Sequence, residues 1–396
     1  MESDTIMNVP KLRFKEFTDE WSQTCLSEVV TFSKGNLLSK SDLDEQGSYS
    51  CILYGELYTK YHEVIRKVFS KTNYNSNNIV KSKYGDILIP ASGETPIDIS
   101  TSSCLLLDNI LVGGDINILS PKNCDGRFIS YMISNNKRNT IARIAQGNSI
   151  VHLYSENLKQ VNLDIPSLNE QKKIADMLEL LDKKIELQTR RIEALKLFKK
   201  GLFDTQLEKN EKELIMFDDF LDEVVEKTTI QNQYPILSST SKGLFLQSDY
   251  FNKHASSENN IGYKILKRNQ LVLSPQNLWL GNININNKFN IGIVSPSYKV
   301  YNINIKKIDL NYFNYWIKTP KALYSYLVSS EQGASIVRRN LNTEMFNQIS
   351  LKVPNLKKQH ILGNKIYQFD LKINLEKEML KQLYKLKKGL MQNMFI

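Results

Sequence analysis

Phosphodiester and base chemistry each require particular side-chain groupings, and the chain offers few. Metal-dependent cleavage needs clustered carboxylates, often with a nearby Lys. The nearest grouping is Asp164 with Glu170-Gln171-Lys172. A solvated helix N-terminus explains Glu170 better, since a carboxylate there meets the positive end of the dipole. Base methylation needs a Gly-rich cofactor loop and an Asn/Asp-Pro-Pro-aromatic loop. Gly113-Gly114-Asp115 reads as an isolated turn, and Ser274-Pro275-Gln276-Asn277 is a distant echo. There is no Walker loop and no GxSxG elbow. His62, His152, His254 and His360 have no metal-ligand spacing. The expectation is a chain with no catalytic residue and no metal site.

Binding chemistry is better represented. The net charge is +10, with 52 Lys plus Arg against 42 Asp plus Glu. That balance suits a polyanionic partner but does not by itself establish one. Arg127, Arg138, Arg143, Arg338 and Arg339 are five of only ten arginines. Arginine both clamps phosphate and reads guanine, so these positions are more informative than the lysines.

The elements that would position such residues come in two copies. A shift of 188 positions lays Leu153-Tyr154-Ser155-Glu156 on Leu341-Asn342-Thr343-Glu344 and Lys199-Lys200-Gly201-Leu202 on Lys387-Lys388-Gly389-Leu390. Pro166, Gln171 and Asp182 fall on Pro354, Gln359 and Asp370. Upstream, Asp125, Tyr131 and Ile133 resemble Asp309, Tyr315 and Ile317. Tyr49 to Gly113 and Tyr234 to Ser295 share little. The layout is a shared frame around two different inserts.

Each copy ends in a heptad seam. The first runs Ile174, Leu178, Leu181, Ile185, Gln188, Ile192, Leu195; the second Leu362, Ile366, Phe369, Ile373, Glu376, Leu380, Leu383. About 35 residues at 1.5 Å each predict helices of about 50 Å, starting after Pro166 and Pro354. The second copy carries nine Lys and three acids from Pro354 onward and would pair poorly with itself. An intramolecular antiparallel pair is therefore expected, with Gln188 and Glu376 as polar register rungs. The preceding blocks read as mixed α/β, with a helix over Gly126–Asn136 and another over Leu310–Thr319. The aromatics of those helices are read as core. The linker is the charge run Glu208-Lys209-Asn210-Glu211-Lys212-Glu213.

No apolar run approaches a membrane span. The four Cys lack a CxxC and suit neither a zinc ribbon nor a disulfide framework. The start Met1-Glu2-Ser3-Asp4 lacks a signal-peptide layout. A soluble cytoplasmic protein is expected.

Two variable blocks, each followed by a heptad helix ending in Lys-Lys-Gly-Leu, resemble the specificity subunit of type I restriction–modification enzymes. Pro10-Lys11-Leu12-Arg13-Phe14 with Trp21 is similar to that family's opening, as is Gln146-Gly147-Asn148-Ser149 through Glu170-Gln171-Lys172-Lys173-Ile174. Tyr54-Gly55-Glu56-Leu57-Tyr58 resembles a segment of some first recognition domains. His360-Ile361-Leu362-Gly363 departs from the family as a helix start and leaves the length of the second helix in question.

The resemblance implies an α+β fold: two pseudo-repeated mixed α/β target-recognition domains joined by two long helices in an antiparallel coiled coil. The implied boundaries are 1–165 and 209–353 for the recognition domains, with 166–208 and 354–396 as helical spacers. Each domain would read half of a bipartite site on double-stranded DNA. The helices would set the spacing and dock two methyltransferase (modification) subunits, with restriction (translocase-nuclease) subunits added. S-adenosylmethionine, ATP and magnesium are expected on those partners, and no cofactor on this chain. The alternatives are a coiled-coil adaptor with two peptide-binding modules and a single-chain restriction enzyme.

The candidate DNA contacts follow. Gln146, Asn148, Ser149 and His152 form one loop, and Ser335, Arg338 and Arg339 its counterpart. Tyr54, Glu56, Tyr58 and Lys60 are base-reading candidates in the first insert; Ser239, Lys242, Gln276 and Asn277 in the second. Glu56 would accept from cytosine, and Gln276 or Asn277 would pair with adenine. If Arg338 and Arg339 neutralise phosphate, Arg338→Ala with Arg339→Ala lowers DNA affinity and flattens its dependence on salt. A binding titration over salt concentration checks this, and an unchanged slope removes the pair from the contacts.

Overall fold

The computed structural model describes residues 8–74, 76–147, 150–209, 213–250, 259–332 and 339–396. The chain forms two compact units. One is Met1–Arg190 with Glu378–Ile396; the other is Arg191–Lys377.

In the first unit a five-stranded sheet has the order Val30–Lys34, Ile116–Pro121, Asp86–Pro90, Ser103–Leu105, Val64–Ile65. Ile87, Leu88 and Ile89 are fully buried, as a strand covered on both faces requires. In the second unit the order is Leu221–Val224, Lys299–Ile303, Leu271–Leu273, Ile283–Ile285. The first four places of the two sheets correspond. Strands of the same sheet therefore lie inside inserts whose sequences share little. A strand interior needs apolar side chains on its buried positions rather than particular ones, so such a match leaves no identities at a fixed offset.

After the sheet each unit places two helices where one was expected. They are Gly126–Ser134 and Arg138–Ile144 in the first unit, and Leu310–Trp316 and Pro320–Val328 in the second. Asp125 caps its helix by accepting from the backbone of Arg127 at 2.9 Å, and Asp309 by accepting from Tyr312 at 2.9 Å. Phe128, Tyr131 and Met132, like Tyr312, Phe313 and Trp316, are core residues.

The long helices are Leu168–Lys209 and Leu356–Asn393. Each is tied to its block by one buried glutamine. Gln171 Oε1 accepts from Asp125 N at 3.0 Å, and its Nε2 donates to Pro166 O at 2.9 Å. Gln359 repeats both bonds, to Asp309 N at 3.0 Å and Pro354 O at 2.8 Å. Glu170 is not solvated. It is 1% exposed and holds the Arg13 guanidinium in two bonds of 2.8 Å. The helix N-terminus is covered by the amino-terminal segment, which the sequence pattern around Glu170 alone did not reveal.

The helices run antiparallel within each unit. In the first, Ile174 and Leu178 pack near Met391, Met394 and Phe395, while Leu181 and Ile185 pack with Leu383. In the second, Phe203 shares a core with Leu362 and Ile366, Phe198 meets Phe369 at 5.3 Å, and Arg191 pairs with Glu376 at 2.9 Å. Gln188 and Glu376, the polar rungs of the two seams, are both buried. Each unit also holds a lysine clamp. Lys387 binds Asp182 at 2.7 Å and Glu63 at 2.9 Å, over the ring of Tyr131. Lys199 binds Asp370 at 2.6 Å, over the ring of Tyr315.

Gly363, which made the second helix start look atypical, does not shorten that helix. A Cβ at this position would lie 2.4 Å from Asp309 Oδ1 and 2.7 Å from Tyr312 N, so glycine lets the helix close on the cap. Gly201, by contrast, has nothing within 4 Å of such a Cβ. Gly201→Ala should therefore gain about 0.5–1 kcal/mol from helix propensity. Gly363→Ala should lose about 1–3 kcal/mol despite the same propensity gain, because the cap must move. Urea midpoints of the two variants should shift in opposite directions.

The Glu63 carboxyl supplies a pH test. Burial raises its pKa, but the charge and hydrogen bond of Lys387 outweigh burial and hold it below the ordinary 4.5. A depressed carboxyl contributes stability that is present above the unfolded value and is lost as pH falls through the folded one. Wild type should thus lose more stability than Glu63→Gln between about pH 5 and 3. Parallel denaturation curves would refute the clamp.

Candidate nucleic-acid interface

In the first unit three segments converge. Tyr54 to Thr59 form a short helix, and Tyr54 is 38% exposed. Ser92-Gly93 pairs antiparallel with Val151-His152. A Cβ on Gly93 would lie 3.7 Å from the Tyr58 ring, so that ring sits against the paired strand. Burial, then the neighbouring Tyr54, Glu94 and Asp98, push the Tyr58 hydroxyl above its ordinary pKa of 10.0.

The loop closes where Gln146 N donates to His152 O at 2.9 Å and His152 N to Gln146 O at 2.7 Å. Gly147 takes φ +123°, where a side chain would strike Ile150 O. The His152 ring stacks on Tyr154 at 6.1 Å. Asn148 and Ser149 lie outside the described residues, as do Ser335 and Arg338.

In the second unit the corresponding loop is closed by Ser330–Gln332 and Arg339–Leu341, with Gln332 opposite Arg339. It too is fixed to the segment that follows the central strand: Arg339 N donates to Gln276 O at 3.2 Å. Gln276 is exposed, and Asn277 is half-buried at the start of the single turn Leu278–Leu280. Lys242 is exposed in the turn between strands Leu237–Thr240 and Gly243–Leu246.

Two base-reading candidates are committed to the fold instead. Glu56 is 6% exposed; it accepts from Leu53 N at 3.0 Å, from Lys60 Nζ at 2.6 Å and from Ser70 Oγ. Accepting from cytosine would break this cap and ion pair, and the charge of Lys60 is likewise engaged. Ser239 is 3% exposed; its hydroxyl donates to Asn282 Oδ1 and accepts from Asn284 Nδ2, both at 2.7 Å. A polar residue type does not reveal which face of an element it occupies. Arg127 is also structural: it binds Asp125, Asp176 and Glu179 at 2.6–2.8 Å.

Three residues of these edges escaped the sequence pattern. Glu94 is exposed beside Ser92-Gly93. Lys318 donates to Gly281 O at 2.9 Å, close in sequence to Trp279. Trp279 lies under the Arg339 guanidinium, 5.3 Å from its ring centroid. Trp279 carries no signal of its own in the Pro-Gln-Asn-Leu-Trp stretch, and only its contact with Arg339 singles it out. Among the described residues no three His, Cys, Asp or Glu side chains gather as a metal site. No described helix is long and apolar enough to cross a membrane.

Two similar units thus close the same backbone pair with a different residue at the exit, His152 in one and Arg339 in the other. Residues 18–197 match the type I restriction modification DNA specificity domain. Over 98% of this chain and 99% of the other, the fold is similar to the crystal structure of a type I restriction–modification S subunit from M. genitalium, at 15% identity and a TM-score of 0.63. A chain from a structure of type I restriction–modification complex assembly and conformational transition matches at 11% identity and TM-score 0.51, covering 94% of this chain and 96% of that one. Residues 18–197 therefore carry a type I restriction modification DNA specificity domain, and the whole chain shares the fold of the solved S subunit.

Proposed function

We propose that each unit reads one half of a bipartite double-stranded DNA target, and that the two halves differ. The carrying observation is the duplicated loop. In both units a glutamine leads into it, an antiparallel backbone pair closes it, and the closing residue is bound to the segment after the central strand. The supporting frame is shared, while the side chains on it are not. Tyr54, Tyr58, Glu94, Gln146 and His152 form one edge; Lys242, Gln276, Trp279, Lys318 and Arg339 form the other. Glu94 takes the acceptor role first assigned to Glu56, and Gln276 suits the paired donor and acceptor of adenine.

The long helices dock two modification subunits, and restriction subunits join that assembly. S-adenosylmethionine, ATP and magnesium are held by those partners and supply methyl transfer, translocation and cleavage there. This chain holds the DNA in register. The exposed residues Leu180, Leu187, Leu371 and Leu375 on the helices support such docking.

Selection of a randomised duplex by the chain assembled with its modification subunits tests the reading. Enriched sequences should show two conserved blocks at a fixed separation. Gln146→Ala with His152→Ala should relax one block, and Lys242→Ala with Gln276→Ala the other. A single block, or relaxation of both by either pair, would contradict it.

A further inference from the structure

We propose that Arg339 is a specificity-determining residue of the second unit and reads a guanine base instead of clamping phosphate. This rests on the reading that the edge around Gln276 meets DNA, and it adds which base is recognised there.

Four observations carry it. First, Arg339 is the outgoing residue of the loop, and its backbone N–H is bound to Gln276 O at 3.2 Å, beside an exposed side chain. Second, its guanidinium is oriented before any ligand arrives. Its central carbon lies over the Trp279 ring, 5.3 Å from the centroid, and Nη1 donates to Ser330 O at 3.2 Å. A phosphate accepts a cation from many directions, whereas the O6 and N7 acceptors of guanine need two N–H donors in a fixed plane. Holding that plane in advance removes part of the ordering cost of binding.

Third, the charge is available. Arg13, Arg66, Arg127 and Arg191 each pair with a carboxylate, but among the described residues Arg339 pairs with none. Fourth, the first unit repeats the device with another head group. His152 is the residue whose backbone pairs with Gln146 across the loop, and its ring stacks on Tyr154 at 6.1 Å. A flat polar group on an aromatic face thus stands at the loop exit in both units. Its donor pattern differs, as two different half-sites require.

The test uses the full chain with its modification subunits and the duplex enriched from the random library. Binding to that duplex and to each of its single-base variants is measured at several salt concentrations for wild type, Arg339→Lys and Arg339→Ala. Lysine keeps the charge and loses the fork. At one G·C pair in the second unit's half-site, discrimination should fall roughly tenfold to hundredfold in both variants. The salt slope of Arg339→Lys should stay at the wild-type value. The proposal is overturned if Arg339→Lys keeps full discrimination everywhere while Arg339→Ala weakens all sequences equally with a shallower slope, which marks a phosphate clamp. It is equally overturned if neither variant changes discrimination. Should Arg339→Ala also lose reading of the first half-site, it has misfolded and Arg339→Lys decides alone. A wild-type complex that enriches no sequence overturns the DNA reading itself, and this assignment with it.

Discussion

One buried side chain in each unit fixes the geometry of everything around it. Gln171 and Gln359 are 1% and 2% exposed, and each uses both ends of its amide. The oxygen satisfies the backbone N–H of a capping aspartate, and the nitrogen satisfies the carbonyl of the proline before the long helix. Removing either glutamine would leave two backbone groups without partners in an apolar setting, at about 1–3 kcal/mol each. The amide therefore sets the angle and distance at which the long helix leaves its block. The cap, the aromatic helix behind it and the start of the long helix are positioned by one group. Gly363 belongs to this constraint, since the helix can approach the Asp309 cap only without a side chain there.

A second constraint acts further along the same helices. Lys387 lies in the second sequence copy and clamps Asp182 of the first; Lys199 lies in the first and clamps Asp370 of the second. Each lysine rests on the tyrosine that the duplication places at the equivalent position, Tyr131 or Tyr315. The exchange is reciprocal, so neither copy completes its own clamp. This gives a physical reason for the Lys-Lys-Gly-Leu ending in both copies. Its first lysine is a partly buried ion-pair partner, for which neighbouring lysines in solvent are no substitute. For Lys387, burial alone would lower the pKa, and the carboxylates of Glu63 and Asp182 reverse that direction. Breaking such a pair on one side leaves a charge without its partner in a low-dielectric setting, which costs more than the intact pair contributes.

What the sequence disclosed is what these constraints demand by identity. The register of the duplication, the two long helices, their antiparallel sense and the aromatic core helices were legible because Gln171, Asp182, Tyr131 and Lys199 have no good substitutes in their roles. The shared sheet was not legible, because Ile87-Leu88-Ile89 and Leu271-Val272-Leu273 meet the same burial requirement with different residues. Single polar residues were the least legible. Glu56, Ser239 and Glu170 have the composition of binding or solvent-facing groups, yet each satisfies buried partners that are distant in sequence or fixed by local capping. Arg127 shows the same limit for charge, since its carboxylates come from its own helix cap and from the long helix.

The division of labour follows from where substitution is tolerated. A residue inside a cap, a clamp or a buried amide bridge cannot vary without loosening the frame. A residue at a loop exit can, provided the backbone pair that closes the loop survives. That pair uses only N–H and C=O groups, at Gln146 with His152 and at Gln332 with Arg339. Any side chain with suitable backbone angles could stand at the exit without disturbing the closure. Recognition can thus diverge between the units while both keep one scaffold. The same argument explains why the net charge was a weak guide. Lys60, Arg127, Lys199 and Lys387 are all engaged within the fold, so which cations are left for a polyanion is revealed only by the folded chain.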